Sequence, residues 1–442
     1  MILTTSQTSL ETALGTLESI VLTRLHAFAS KEQQALLDHD FLDWKEVLLS
    51  QLPVDQLTFE EITVLTIALV PHVRPHFFDH LIQEIYPRGG DFPHFGGIRR
   101  KNHRGFIPTG ETALFLIGGE DLEYRFKVQQ LFTAEHWFYK NQVLKIAPPD
   151  RDEPAMSGQL VMDNEYVEKL TLGKVSKPVF SSEFPASPLH TELNWEDLVL
   201  PSSTLSQIQD LLIWLKHNED LFNNFGMGRK LKPGYRTLFH GPPGTGKTMT
   251  ANLLGKSTGK DVFRVDLSAV VSKYIGETEK NLSNLFDRAE NKDWILFFDE
   301  ADALFGSRTQ VQSAHDRYAN QEVSYLLQRV EGHRGLVILA SNFKSNIDEA
   351  FIRRFHSIIH FPMPKTHERL NLWGKAFPAK IIFDESVDLK MIAQKYELTG
   401  ADIMNVVHYV SLKALSKNDL KISDKDIIDG IRREFVKSGK IN

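Results

Sequence analysis

Residues 241–248 read GPPGTGKT, set between an apolar stretch, YRTLFH (235–240), and a helical one, KTMTANLLGKS (247–257). No other eight residues restrict so tightly what this chain can fold into. Gly241, Gly244 and Gly246 let the backbone curl until successive N–H groups point inward, an arrangement suited to oxyanions. A helix opening at Lys247 adds the positive end of its dipole. The pattern G-x-x-x-x-G-K-[ST] between a strand and a helix therefore points to a phosphate cradle over Gly241, Pro242, Pro243, Gly244, Thr245, Gly246, Lys247, Thr248 and Met249. Lys247 would reach the outer phosphates of a nucleoside triphosphate, and the Thr248 hydroxyl would ligate Mg²⁺.

A cradle of this kind needs a parallel sheet behind it. Four further β-rich runs alternate with amphipathic helices: DVFRVDL (261–267), WILFFDE (294–300), GLVILASN (335–342) and HSIIHF (356–361). Strands with helical crossovers imply an α/β fold with ligands at the strands' C-terminal ends. WILFFDEAD (294–302) is an apolar strand that ends in two acids. Asp299 would hold the Mg²⁺ through water, and Glu300 would orient and polarise an attacking water. Asn342, at the tip of another apolar strand, can hydrogen-bond that water or the outermost phosphate; an ordinary strand-to-loop residue is the competing reading. IDEAFIRRF (347–355) sets Arg353 beside Arg354 just before the last strand. One or both could reach a neighbouring subunit's nucleotide; a surface pair in local salt bridges is the competing reading.

In this order the motifs resemble those of the AAA+ ATPases, specifically the classical AAA branch, over roughly residues 194–415. GPPGTGKT and ILFFDEAD resemble the Walker A and Walker B motifs, Asn342 matches sensor 1, and Arg353 and Arg354 fall where the family carries arginine fingers. FIRRFH departs from the commoner spacing of two intervening residues, so either arginine can be the finger, with Arg353 favoured. NWEDLVLP (194–201) is similar to the lead-in segment that holds adenine, which implies Asp197 and Leu198. TGADI (399–403) is similar to the lid motif, which implies Gly400 and Ala401. VSKYIGETEKN (271–281) would then be the loop facing a ring's central channel, with Lys273, Tyr274, Ile275 and Gly276 gripping substrate; a tyrosine packed on its own domain is the alternative. The resemblance implies ATP and Mg²⁺ as ligands, a homo-hexameric ring and a protein substrate or large protein complex. FGGIRRKNHRGFIPTGETALFLIGG (95–119), taken with the module, also resembles AAA ATPases encoded with bacterial phage-tail-like contractile injection systems.

The expected organisation is a helical N-terminal domain over 1–88 and a small mixed α/β or helical domain over 105–172. A Pro- and Ser-rich linker over 173–193 follows, then the P-loop α/β domain over 194–364 and a helical lid over 365–442. Pro53, Pro71 and Pro75 are expected to break the first domain into short helices. A net charge of −6 gives no general pull toward nucleic acid or anionic lipid. The absence of cysteine removes thiolate chemistry and suits a reducing cytoplasm. The N-terminus has no basic-then-apolar leader, and the most apolar run, ITVLTIALVPHV (62–73), is too short to span a bilayer. His72, His76 and His80 have the spacing of helical metal ligands, but Pro75 interrupts them and no acid completes a set. Arg99, Arg100, Lys101, His103 and Arg104 could touch phosphates, although a solvated loop or an acidic neighbour explains them better. HDRYANQ (315–321) could be a second channel-facing loop or an exposed turn. Three functions remain: a protein-remodelling motor, a nucleic-acid motor or loader, and a non-processive assembly ATPase docked on a large complex.

Overall fold

The computed structural model describes all residues except 1, 31–40, 88–91, 176, 177, 179, 182, 183, 271–276, 290, 291, 293, 302–323, 343–351, 418 and 440–442. The chain divides into two units, Met1–Lys177 and Pro178–Asn442, each with its own apolar interior.

The first unit holds α1 (Ile2–Ser30), α2 (Leu42–Gln51), α3 (Phe59–Val73), α4 (Phe77–Ile85), α5 (Gly110–Gly118), α6 (Leu122–Gln129), α7 (Trp137–Lys140) and α8 (Asn164–Leu172). A two-stranded antiparallel ribbon, β1 (Leu144–Ile146) with β2 (Leu160–Met162), completes it. The two domains expected over 1–88 and 105–172 share one core, which runs from Ala13 to Leu170. The reason is α5: Ala113, Leu114, Phe115, Leu116 and Ile117 are all buried, so the helix must be wrapped from several sides. It packs against both α1 and α3. Arg24 of α1 donates to the carbonyls of Leu116 and Ile117 at 3.2 and 3.0 Å, satisfying the end of α5. Buried Glu61 closes the capping box of α3 and also accepts from Trp137 Nε1 at 2.6 Å. Pro71 does not break α3. It falls in the last turn, where only the Ile67 carbonyl loses its partner.

The second unit is built on a six-stranded sheet in the order β3 (Ala186–Leu189), β5 (Val262–Val265), β6 (Ile295–Phe298), β7 (Leu336–Ser341), β4 (Tyr235–His240), β8 (Ser357–His360). All pairs are parallel except β3 with β5. Part of the expected linker is therefore an edge strand. Pro188 sits in it, which an edge tolerates because one side of the strand has no partner to serve. Parallel strands are covered on both faces, and the alternation of side chains shows it. Leu296 and Phe298 join one core with Leu282, Leu285, Phe286 and Ala289 of α11 (Glu277–Ala289). Ile295 and Phe297 join the other with α9 (Ser202–Asn223) and α10 (Lys247–Thr258).

The lid follows with helices Thr366–Ala376, Leu389–Lys395, Gly400–Ser416 and Asp424–Lys437. Its core is centred on Trp373, Val406, Ile427 and Ile431, with a short parallel pair, Ile382–Phe383 and Lys421–Ile422, that sequence periodicity does not reveal. Among the described residues no helix is long and apolar enough to cross a membrane.

Candidate functional site

Strand order brings the motifs together. β6, β7 and β4 are neighbours and run parallel, so Asp299 and Glu300, Asn342, and the loop from Gly241 leave one edge of the sheet side by side. Backbone bonds knit these tips. Gly241 N–H donates to the Ser341 carbonyl at 3.2 Å, and Ala301 N–H to the Ala340 carbonyl at 2.8 Å.

Lys247, the first residue of α10, is buried and donates Nζ to the carbonyls of Gly241 and Pro242 at 2.7 and 3.0 Å and to Asn342 Oδ1 at 3.2 Å. A buried ammonium needs such acceptors. The loop's glycines are constrained twice over. Gly244 has φ +75°, and a Cβ there would lie 2.6 Å from Thr399 Oγ1 and 2.7 Å from the Ala401 Cβ. Gly246 has φ +100° and faces Leu198 at 2.9 Å in the same sense. Thr248 is half-buried one residue into α10, and Pro243 is exposed on the outer side of the loop. The Thr245 hydroxyl donates to the Pro242 carbonyl at 2.8 Å, bracing the curl.

At the tip of β6, Asp299 forms an ion pair with Arg264 of β5 at 3.3 Å and accepts the Glu300 N–H at 3.1 Å. Glu300 is exposed and has φ +52°. Left-handed backbone of that kind costs a non-glycine residue about 1–3 kcal/mol and concentrates at functional sites.

Beside the loop lies a mainly apolar cavity of about 310 Å³. Asp197, Leu198, Gly244, Gly246, Met249, Gly400 and Ala401 all line it, so the lead-in, loop and lid residues anticipated from sequence meet around one space. The lid supplies more wall than anticipated: Leu372, Lys375 and Ala376 from its first helix and Met404 from its third. Leu372, Lys375 and Ala376 share a helix face by spacing, a signal that becomes meaningful only once that helix is seen to line the cavity beside the loop. Lys375 donates to the Glu196 carbonyl, and Ala401 N–H donates to the Gly244 carbonyl at 3.2 Å.

The paired arginines sit elsewhere. They precede β8, which pairs in parallel with β4, and so lie at the end of the strands opposite the tips that carry the loop. Arg354 is bound to Glu331 of its own chain at 2.6 Å. Arg353 is exposed and has no ion pair among the described residues. Lys273, Tyr274, Ile275 and Gly276 lie outside the described residues, as does HDRYANQ (315–321).

A profile of the ATPase family associated with various cellular activities (AAA) matches residues 237–363, from β4 to just past β8. That stretch is an AAA domain. Over 293 residues, 64% of this chain and 65% of the relative, it is 28% identical to a proteasome-activating nucleotidase of Methanoregula boonei. Over 237 residues, 52% of this chain and 57% of the relative, it is 32% identical to a proteasome-activating nucleotidase of Aeropyrum pernix. The peroxisomal ATPase PEX6 of Komagataella pastoris is 29% identical over 280 residues, 61% of this chain and 23% of that protein. The chain thus spans less than two thirds of the length of these curated relatives. The AAA match explains why the loop, the acidic strand tip and Asn342 occur on three adjacent strands, and the helical lid after residue 365 completes the wall of the cavity.

Proposed function

We propose that this AAA chain hydrolyses ATP and uses the cycle to remodel a protein partner as a subunit of a homo-hexameric ring. The observation that carries the reading is the Lys247–Asn342 contact at 3.2 Å, beside the strand tip that ends in Asp299 and Glu300. The residues fit a nucleotide: the loop's glycines take a left-handed curl that side chains would oppose, Lys247 supplies a buried cation, and the adjoining cavity suits a planar base. Lys247 exchanges its carbonyl acceptors for phosphate oxygens. Glu300 accepts a proton from the attacking water as its oxygen bonds to the terminal phosphorus and the bond to the leaving diphosphate breaks. Asn342 holds that water in line. Mg²⁺, held by Thr248 and through water by Asp299, would neutralise charge on the phosphates.

Arg353, free of the partner that Arg354 has, is the better candidate to complete a neighbour's site, because neither arginine stands at its own chain's phosphate loop. The protein partner is supported by the names of the relatives, a proteasome activator among them, and by the Tyr274–Ile275 pair of the resemblance. We place that partner in a phage-tail-like contractile injection system, and the protein in the cytoplasm, on the resemblance of residues 95–119 and the cysteine-free sequence. The Glu300→Gln variant should bind ATP with near-normal affinity while turnover falls by about 10²-fold or more. Phosphate release at the wild-type rate would sink the mechanism, and trapping that variant with ATP identifies the partner by co-purification.

A further inference from the structure

The first unit gathers positive charge at one place in a chain whose net charge is −6. Two segments distant in sequence meet there, 71–80 and 98–107. Gly105 lies so close to Pro75 that an added Cβ would come within 2.4 Å of its carbonyl oxygen and 3.4 Å of Asp79 Oδ2. Asp79 accepts the Phe106 N–H at 2.8 Å and pairs with Arg99. Desolvation first, and then repulsion from nearby His103, hold His72 below the ordinary imidazole range.

The second segment is a closed hairpin. Ile98 and Ile107 exchange backbone bonds at 2.9 and 3.0 Å, and Arg100 N–H donates to the His103 carbonyl at 3.1 Å across the turn. Arg99 also donates to the Arg104 carbonyl at 2.6 Å. The surface therefore has a defined shape, which distinguishes it from a merely solvated charge run.

Its inventory is one-sided. Arg74, Arg99, Arg100, Lys101 and Arg104 stand with four imidazoles, His72, His76, His80 and His103, against a single acid. That acid, Asp79, is taken up by Arg99. Arg74, Arg100, Lys101 and Arg104 are exposed and have no ion pair among the described residues. The phenyl rings of these segments, on Phe77, Phe78 and Phe106, are all buried, which leaves imidazoles as the rings that these segments expose. The remainder of the chain is more acidic than the whole and would repel a long polyanion that overran the patch.

We propose that this surface binds an acidic segment of a protein partner. The inference goes beyond nucleotide hydrolysis and does not depend on it, since the test contains no nucleotide. Fluorescence anisotropy of the full chain with a labelled peptide of alternating Asp and Glu should show binding that weakens as salt rises from about 50 to about 200 mM. Combined R100E, K101E and R104E should weaken it by about tenfold or more with an unchanged thermal melt, because all three side chains point into solvent. If that variant melts early, K101E alone serves, with a loss of about threefold. The proposal is overturned if the wild-type chain ignores the peptide at low salt. Equal binding by the charge-reversed chain overturns it too, as does tighter binding of an oligonucleotide of matched charge that the same variant abolishes.

Discussion

Arg353 and Arg354 are neighbours in sequence with different surroundings, since only Arg354 is held by Glu331. Arg353→Ala is expected to lower kcat by about 10³-fold while leaving nucleotide affinity near normal, the signature of a group that acts on the transferring phosphoryl from another subunit. Arg354→Ala should remove an exposed ion pair worth about 1 kcal/mol or less and leave kcat nearly unchanged. Steady-state phosphate release separates the two, and the reverse pattern would give the role to Arg354. A different residue sets an acid limit. Burial, and secondarily Arg329, push His333 down to about 4 from 6.5. Between those values the unfolded chain binds a proton that the folded chain refuses, so stability is complete above 6.5 and declines as pH falls toward 4, by roughly 3 kcal/mol in all. Thermal melts across that window should flatten in His333→Gln. At this scale the loop and acid residues were legible because their chemistry is local: three glycines, one lysine and two acids declare an anion and a cation by type alone. Leu372 and Lys375 were not, because they matter only where the lid meets the lead-in segment.

Among the strands of the six-stranded sheet, β3 is the one that periodicity missed. It is short, contains Pro188 and Ser187, and owes its existence to pairing with β5 rather than to any β-propensity of its own. What anchors it is Phe184, fully buried and edge-on to Phe263 at 5.5 Å. Phe184→Ala should therefore cost about 3–5 kcal/mol in denaturant unfolding of the second unit, a large effect for a residue whose sequence context looks like a linker. A loss under about 1 kcal/mol would mean that the edge strand is dispensable. The parallel strands were readable for the opposite reason. Runs such as ILFF and LVILA are apolar at every position, as suits a strand covered on both faces. The N-terminal helices were readable as helices but not as one unit. The contacts of Glu61 with Trp137, and of Arg24 with α5, join residues far apart in sequence, and no local pattern announces them.

For the whole molecule, the division into two compact units predicts two independently folding pieces. Residues 1–177 and 178–442 produced separately should each melt cooperatively, and the second alone should retain nucleotide affinity. A second piece that fails to bind nucleotide would show that the first contributes to the site. Within the second piece, Ala401 N–H and the Gly244 carbonyl share one hydrogen bond at the very start of a 17-residue helix. That helix is about 25 Å long, so pivoting it by about 5° at this end sweeps the other through about 2 Å. Any pivot of the helix about this hydrogen bond would thus turn a small displacement of one peptide group at the loop into a larger one at the helix's far end.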